Sequence, residues 1–175
     1  MSRRTRIAGA SLAIGVLLAV PGCALRSQAE APDAEAPARN AGLDSIDPCA
    51  LLTEDELTAR GAWPPGYPNR NVPAEPGCDY DGDPFGYSFF KNQQMTVESY
   101  GAQDNWAEFD RRELNGRVAA NAINASSTGG RICSTMFNAG GGVIIVTVGE
   151  LNDEGRDECA ESWQLAELVE AKTPR

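Results

Sequence analysis

The sequence predicts an α+β domain in which helices pack mainly on one face of an antiparallel sheet. Three observations favour this fold: a helix-capping motif near residue 53, a series of strand-like segments separated by turn residues, and an amphipathic segment near the C-terminus. Strands that are grouped together, rather than alternating with helices, are typical of α+β proteins. We therefore expect an N-terminal helix, a sheet and a C-terminal helix in a single globular domain, residues 47–175.

The first 23 residues have the order of a lipoprotein signal peptide. Three arginines precede an apolar run of fourteen residues, 7–20, which is shorter than the roughly 20 residues that a membrane-spanning helix needs. The run leads to Pro21-Gly22-Cys23, where a bacterial lipoprotein is cleaved and acylated. We predict that residues 1–22 are a signal peptide, that Cys23 carries the lipid, and that the protein is anchored on the outer face of the cell membrane. Ordinary secretion, with Cys23 left as a thiol, is the alternative.

Residues 24–46 predict a disordered linker behind Cys23. They are rich in Ala, Pro and Glu and show no apolar period, so they bury too little surface to offset the entropy of ordering them. A flexible chain of about 22 residues reaches roughly 25 Å. The linker would let the domain stand off the membrane.

Composition limits the classes of partner and site. Removal of residues 1–22 takes away three of the fifteen basic residues and leaves 12 basic and 25 acidic side chains, a net charge of −13. This charge disfavours nucleic acid and a close approach to an anionic membrane surface. The chain has no histidine, which excludes Ser-His-Asp and Cys-His catalytic sites and removes the commonest zinc ligand. We expect no catalytic residue, no metal and no cofactor.

Four cysteines remain once Cys23 is assigned to the lipid: Cys49, Cys78, Cys133 and Cys159. Outside the cytoplasm, four cysteines in a small domain predict two disulfides. Three pairings are possible. We favour Cys49–Cys159, which would tie the ends of the domain together, and Cys78–Cys133, which would join two inner strands.

The N-terminal part of the domain begins with a helix and a long loop. Thr53 and Glu56 form a capping box, so a helix is expected from there to about residue 60. Residues 62–77 contain five prolines and predict a loop. Its aromatic Trp63 and Tyr67 would suit a partner surface, although a closed loop without function is the alternative.

The rest of the chain predicts strands and two further helices. Strands are expected at 78–80, 85–90, 95–100, 117–123, 131–137 and 143–149. Residues 103–114 predict a helix with Trp106 and Phe109 turned inward. The run 143–146 has no polar alternation, so it should be the most buried strand, covered on both faces. The last helix is expected over 154–172, with an acidic first turn that suits the helix dipole and with Cys159, Trp163 and Ala166 facing the sheet.

Several short motifs occur in a familiar order. They are Asp-Pro-Cys-Ala-Leu-Leu at 47–52, Gly-Cys-Asp-Tyr at 77–80, Leu-Asn-Gly-Arg-Val-Ala at 114–119, Cys133, the strand at 143–148 and Asp-Glu-Cys-Ala at 157–160. This order resembles the actinobacterial lipoproteins of the domain-of-unknown-function 3558 family over about residues 47–170. Tyr80 stands where that family usually has tryptophan, and both are amphipathic aromatics. The resemblance implies a small disulfide-bonded envelope domain with a sheet-and-helix fold like that of the Mog1/PsbP group, and it transfers no catalytic residue.

Other candidate sites have simpler structural interpretations. The alternating acids of residues 79–83 invite a calcium site, but Pro84 and Phe90 occupy positions where a calcium loop needs Gly and Glu, so a hairpin turn is favoured. The glycines at 140–142 precede a strand rather than a helix, which favours a hairpin over a phosphate loop. Lys91 is interpreted as an edge-strand gatekeeper. Trp106 and Trp163 are assigned to the core rather than to a ligand pocket.

These patterns predict a non-enzymatic, lipid-anchored envelope protein that presents a surface or shallow pocket to another envelope protein or a small ligand. A carrier of an apolar ligand or lipid, with a cavity between helix and sheet, is the alternative. A hydrolase with a carboxylate pair is the third hypothesis, and it requires an acidic pair with a raised pKa in a cleft.

Overall fold

A computed structural model describes residues 41–175 of the chain. The predictions for Cys23, for the signal peptide 1–22 and for linker residues 24–40 lie outside the described residues. The described part contains the α-helices α1 (Glu54–Thr58), α2 (Val97–Gly101) and α3 (Glu158–Glu170). Short 3-10 turns lie at Ala41–Leu43, Pro48–Ala50 and Thr128–Gly130.

The strands of this part form one open sheet in the order β1-β2-β3-β7-β6-β5-β4. They are β1 (Tyr67–Asn69), β2 (Gly77–Tyr80), β3 (Phe85–Asn92), β4 (Trp106–Leu114), β5 (Arg117–Asn124), β6 (Ile132–Ala139) and β7 (Gly142–Glu150). All pairings are antiparallel. Helices α1 and α3 pack on one face and α2 packs on the other, as the alternating side chains of the two buried clusters show. The predicted α+β class, with an antiparallel sheet and a C-terminal helix, is confirmed.

The helices begin at capping residues that the sequence reveals. Thr53 accepts a hydrogen bond from the N–H of Glu56 at 3.3 Å, and the Glu56 carboxylate accepts one from the N–H of Thr53 at 2.8 Å, so the predicted capping box is present. Gly61 follows α1 with a φ of +82°, a conformation that favours glycine. Asp157 caps α3 by accepting from the N–H of Ala160 at 2.8 Å, which starts this helix a few residues later than predicted.

The main core lies between α3 and the sheet. Leu165, Ala166 and Val169 of α3 are at most 1% exposed and belong to the same buried cluster as Phe137 of β6. Burial of a large apolar side chain contributes about 1.5–3 kcal/mol. Strand β7 pairs with β3 on one side and β6 on the other, and residues 143–146 are all buried. The prediction that the run 143–146 is covered on both faces is confirmed.

Two predicted elements are wrong. Residues 97–101 form α2 instead of a strand, because Thr96 and Ser99 hydrogen-bond reciprocally at the helix start, with the N–H of Ser99 donating to Thr96 at 3.3 Å and the N–H of Thr96 donating to Ser99 at 2.7 Å. Residues 106–114 form strand β4 instead of a helix. Asn115-Gly116, with φ values of +50° and +82°, makes the two-residue turn that pairs β4 with β5.

The folded chain begins before the predicted domain boundary. Leu43 is 0% exposed and belongs to the main core, so the linker prediction is wrong at its C-terminal end. Lys91 holds this segment, because its Nζ donates to the carbonyl oxygens of Leu43 at 2.7 Å, Asp44 at 3.3 Å and Ile46 at 2.5 Å. Lys91 lies on β3, which has a neighbouring strand on each side, so the interpretation as an edge-strand gatekeeper is also wrong.

The predicted loop 62–77 is partly sheet. Strand β1 pairs with β2, with Tyr67 opposite Asp79, and Ala62 forms a bridge to Gly82. The short β1 tolerates Pro68 because it lies at the edge of the sheet. Pairing with β2 therefore gives regular structure to part of a segment whose prolines alone predict a loop.

The four cysteines form two disulfides, but their pairing differs from the prediction. Cys49 bonds to Cys78, and Cys133 bonds to Cys159. The expected pairs Cys49–Cys159 and Cys78–Cys133 are wrong because β3 and β7 separate β2, which carries Cys78, from β6, which carries Cys133. Three strand spacings amount to about 14 Å, whereas disulfide Cα atoms lie at most about 7 Å apart. Each bond instead joins a turn or helix to the strand on which it packs.

Candidate functional site

The sheet face opposite α3 is covered over only part of its area. At one end of this face, α2 supplies Val97 and Tyr100, which pack with Met136 and Ile145 in a second buried cluster. At the other end the sheet carries no helix of the described chain, and side chains on its central strands remain partly exposed. We call this uncovered area the open face.

Strand register brings a row of polar side chains together on the open face. Consecutive pairings across five neighbouring strands align Tyr67, Asp79, Ser88, Thr147 and Ser134. Since neighbouring strands lie about 4.8 Å apart, the row extends over roughly 19 Å. The hydroxyl oxygens of Ser134 and Thr147 lie 2.8 Å apart and form a hydrogen bond.

A groove of about 260 Å³ lies along one end of this row. The residues that line it include Tyr67, Asp79, Asp81, Ser88 and Thr147. Ligand pockets for whole small molecules usually measure about 300–1,000 Å³. This groove, which we call the sheet groove, is therefore suited to a single side chain or chemical group presented from outside.

Gly86 leaves part of the floor of the sheet groove without a side chain. Gly86 of β3 pairs with Gly149 of β7. A Cβ atom added at Gly86 would find Leu151 Cδ2 as its nearest neighbour, at 3.7 Å, which is ordinary van der Waals contact. The floor is therefore open because side chains are missing there, and a larger residue at position 86 would fill space rather than collide.

The carboxylate oxygens of the two groove aspartates, Asp79 and Asp81, outnumber the hydrogen bonds that they receive from the described chain. Asp79 Oδ2 accepts a hydrogen bond from Asn69 Nδ2 at 2.8 Å, while Asp79 Oδ1 is buried without a hydrogen-bond partner. Asp81 Oδ1 accepts from the hydroxyl of Tyr67 at 3.4 Å. The Asp81 carboxylate, with smaller effects of burial and of Asp79, raises the pKa of Tyr67. Neither aspartate forms an ion pair with a lysine or arginine of residues 41–175.

Four carboxyl groups of the described chain have a pKa below the ordinary value, and they are Glu56, Glu98, Glu150 and Glu170. None of the four lines the sheet groove. For Glu150, burial alone would raise the pKa, but hydrogen bonds from the backbone N–H groups of Arg156 and Glu154, together with Arg131, outweigh it. The Glu150 carboxylate thus fixes the segment before α3.

The sheet groove and the N-terminal segment lie at opposite ends of the sheet. Leu43 is close to Gly142, at the start of β7, whereas Gly149, near the end of β7, lines the groove. Seven residues of strand, at about 3.4 Å each, separate these positions by roughly 24 Å. The end of the sheet at which the described chain begins is therefore remote from the groove.

Other predicted sites are structural. Gly140 and Gly141, with φ values of +52° and +80°, form the turn between β6 and β7, as expected. Within residues 41–175 no group of three or more Cys, Asp or Glu side chains is arranged to hold a metal. Trp106 packs in the second cluster and donates to the carbonyl of Tyr100 at 2.7 Å. Trp163 lies under the guanidinium of Arg112 at 4.2 Å. Neither tryptophan lines the groove.

The sequence indicates some residues of the groove but not that they lie together. It predicts Tyr67 as a surface aromatic, and Asp79 and Asp81 belong to a motif in which it favours a hairpin turn over a calcium site. Thr147 and Gly149 carried no signal of their own, because they stand in a strand that the sequence predicts as buried. The groove residues are brought together by the pairing register between strands that are distant in sequence.

Comparison with known proteins gives one match. Residues 18–172 match the family described as "Protein of unknown function (DUF3558)". Neither a curated protein nor a solved structure matches the chain, so the likeness to the Mog1/PsbP group stays a prediction. No helix within residues 41–175 is both long and apolar enough to span a bilayer. Since the match covers most of the sequence, the chain belongs to the DUF3558 family, whose function is unknown.

Proposed function

We propose that the protein is a lipid-anchored, extracytoplasmic binding protein that holds another envelope protein at the sheet groove without transforming it. The two disulfides are typical of proteins outside the cytoplasm. The basic, apolar and cysteine segments of residues 1–23 support a lipid anchor at Cys23.

The single observation that carries the binding role is the open face, the uncovered part of the sheet face opposite α3. A sheet face normally buries its side chains against another layer, and α3 does this for the opposite face. The open face instead shows hydroxyl and carboxylate groups in one row, flanked by exposed Tyr67 and Leu151. Polar groups keep such a face soluble, and the apolar edges give a partner surface to bury.

The position of the N-terminal segment agrees with this role. The described chain begins beside Leu43, at the end of the sheet remote from the groove. A lipid anchor at Cys23 would be joined to the domain from that end and would leave the groove free for other envelope proteins.

The alternative of an apolar-ligand carrier is not favoured. It needs a cavity between helix and sheet, but the contact face of α3 is filled by Ser162, Leu165 and Ala166, each at most 1% exposed. No specific observation in the described chain supports space for a lipid at this interface.

The anchor is tested by labelling and fractionation. The wild-type chain should incorporate labelled palmitate and sediment with membranes, whereas Cys23→Ser should lose both properties. Unlabelled wild type, or a serine variant that stays in the membrane fraction, would exclude a lipid anchor at this residue.

The groove is tested by crosslinking in the native host. A photoreactive phenylalanine analogue at Tyr67, which is 51% exposed, should crosslink to one envelope protein, and the same analogue at Leu168 on α3 should not. Gly86→Val, which fills the floor, should abolish that crosslink, while Ala107→Val on exposed strand β4 should leave it intact. A crosslink that survives Gly86→Val would place the binding surface elsewhere.

A further inference from the structure

We propose that the sheet groove binds an arginine side chain of the partner protein, with its guanidinium between Asp79 and Asp81 and its methylene stem along Tyr67. This inference rests on the proposed function and names the chemical group that the groove recognises. It follows from three independent properties of the groove: its missing donors, its shape and its charge.

The carboxylates of the groove receive few hydrogen bonds from the described chain. Asp79 Oδ1 is buried without a partner among residues 41–175, and buried polar atoms in folded proteins nearly always have one. The Asp81 carboxylate receives one side-chain hydrogen bond from that part of the chain, the long bond from Tyr67. A ligand that satisfies both carboxylates must therefore bring several N–H or O–H groups, and a guanidinium carries five in a planar fork that matches carboxylates.

The shape of the groove suits a long side chain with a flat polar head. The ring of Tyr67 is 51% exposed and Leu151 is 58% exposed, so apolar surface flanks the polar floor. Arginine covers apolar surface with its methylene stem and stacks its head on aromatic rings. The bare backbone at Gly86 leaves room for such a head close to the sheet.

Charge distinguishes arginine from a neutral ligand such as a sugar. The hydroxyl groups of Ser88 and Thr147 would fit either ligand. The lining contains two aspartates and no lysine or arginine, so the groove carries negative charge. A neutral sugar would leave both carboxylates uncompensated when it displaced their water, whereas a guanidinium would neutralise charge as it binds.

Titration calorimetry on the purified full chain tests the inference with two peptide probes. The first is an end-blocked tetra-arginine peptide, and the second is end-blocked tetracitrulline, which has the same shape without charge. We expect the arginine peptide to bind and the citrulline peptide to bind at least about tenfold more weakly. Asp81→Asn, at an exposed position, should weaken arginine binding about tenfold, and Asp79→Asn should do the same.

Asp104→Asn is the matched control, because Asp104 is exposed on the segment between α2 and β4 and its loss changes net charge equally. It should alter the affinity by less than about twofold. Equal binding of both peptides would overturn the inference, as would equal losses in Asp104→Asn and Asp81→Asn. Binding of maltotetraose that is lost in Asp81→Asn would overturn it in favour of a glycan. If the crosslink at position 67 forms while tetra-arginine fails to bind, the arginine ligand is wrong and the groove remains the binding site.

Discussion

Arg117 and Glu170 form a buried ion pair, with the arginine Nε 2.5 Å from Glu170 Oε1. Both side chains are 7% exposed. The same guanidinium donates to the carbonyl oxygens of Thr173 at 3.1 Å and Pro174 at 2.6 Å, so one residue of β5 secures the end of α3 and the residues after it. A hydrogen bond from Asn115, together with Arg117, holds the pKa of Glu170 below its usual range despite burial.

Loss of this arginine should strongly destabilise the domain. Arg117→Met leaves the Glu170 carboxylate buried without its counter-ion, which costs about 3–5 kcal/mol of unfolding free energy. Urea unfolding followed by circular dichroism measures this loss. Arg112→Met, which removes an exposed arginine from neighbouring strand β4, should cost less than about 1 kcal/mol. Equal losses in the two variants would contradict a special role for the buried pair.

Lys91 should control the N-terminal segment locally. Lys91→Met removes three hydrogen bonds to the carbonyls of residues 43–46, each of a charged type worth about 1.5–3 kcal/mol at most. Hydrogen exchange at the amide of Ile46, which donates to Leu43 in the native state, should therefore accelerate. Lys172→Met, which removes the only other lysine, serves as the control and should leave that amide protected. Unchanged protection in Lys91→Met would show that burial of Leu43 alone holds the segment.

Glu56 should give stability that is lost in acid. Hydrogen bonds from Lys172 and from the backbone N–H of Thr53 lower the pKa of Glu56 from 4.5 to about 2. Because the folded-state pKa is the lower one, the stabilisation is present above about pH 4.5 and disappears as the pH falls toward 2. The pair with Lys172 is partly exposed, so the effect should be only about 0.5–1 kcal/mol.

The free energy of unfolding, measured from about pH 6 down to about pH 2, tests this effect, because the range covers both pKa values of Glu56. Glu56→Gln should show a flatter pH dependence than the wild type over that range. Glu54→Gln changes an exposed neighbour in the same turn and should retain the wild-type slope. A wild-type slope in Glu56→Gln would exclude this carboxyl as the source.

Peptide mapping without reduction should recover fragments that join Cys49 to Cys78 and Cys133 to Cys159. The loops span 29 and 26 residues, so each bond should contribute about 3–4 kcal/mol in the chain-entropy model. The double variant Cys133→Ala/Cys159→Ala should unfold at correspondingly lower urea concentration. Recovery of a fragment that joins Cys78 to Cys133 would contradict the strand order.

Features that depend on adjacent residues, such as caps and turns, are predicted correctly from the sequence. Features that depend on contacts between distant residues, such as strand pairing and disulfide pairing, are not. The capping box at Thr53 and the glycine turn between β6 and β7 each depend on a few adjacent residues, and both are present. The sequence predicts a helix where β4 lies because Ala, Glu, Arg and Leu have a high helix propensity. Pairing with β5 overrides that propensity. Disulfide pairing depends on strand order, which the sequence does not state.

The groove illustrates the same limit for function. Its residues come from five strands, β1, β2, β3, β6 and β7, and from positions just after β2 and β7. Only the pairing register brings Tyr67, Ser88 and Thr147 onto one line. A shift of one residue in any pairing would turn these side chains to the opposite face. Composition shows that the chain is acidic, but it does not show that two of its aspartates lie together beside Tyr67.

The disulfide between Cys49 and Cys78 has a mechanical consequence. Tension applied at residue 41 would first strain the contacts of Lys91 and would then pass through the sulfur atoms directly into β2. Helix α1 and strand β1 lie within the covalent loop and would carry no load. Tyr67, which β1 supplies, would thus keep its place while the chain is pulled from its N-terminal side.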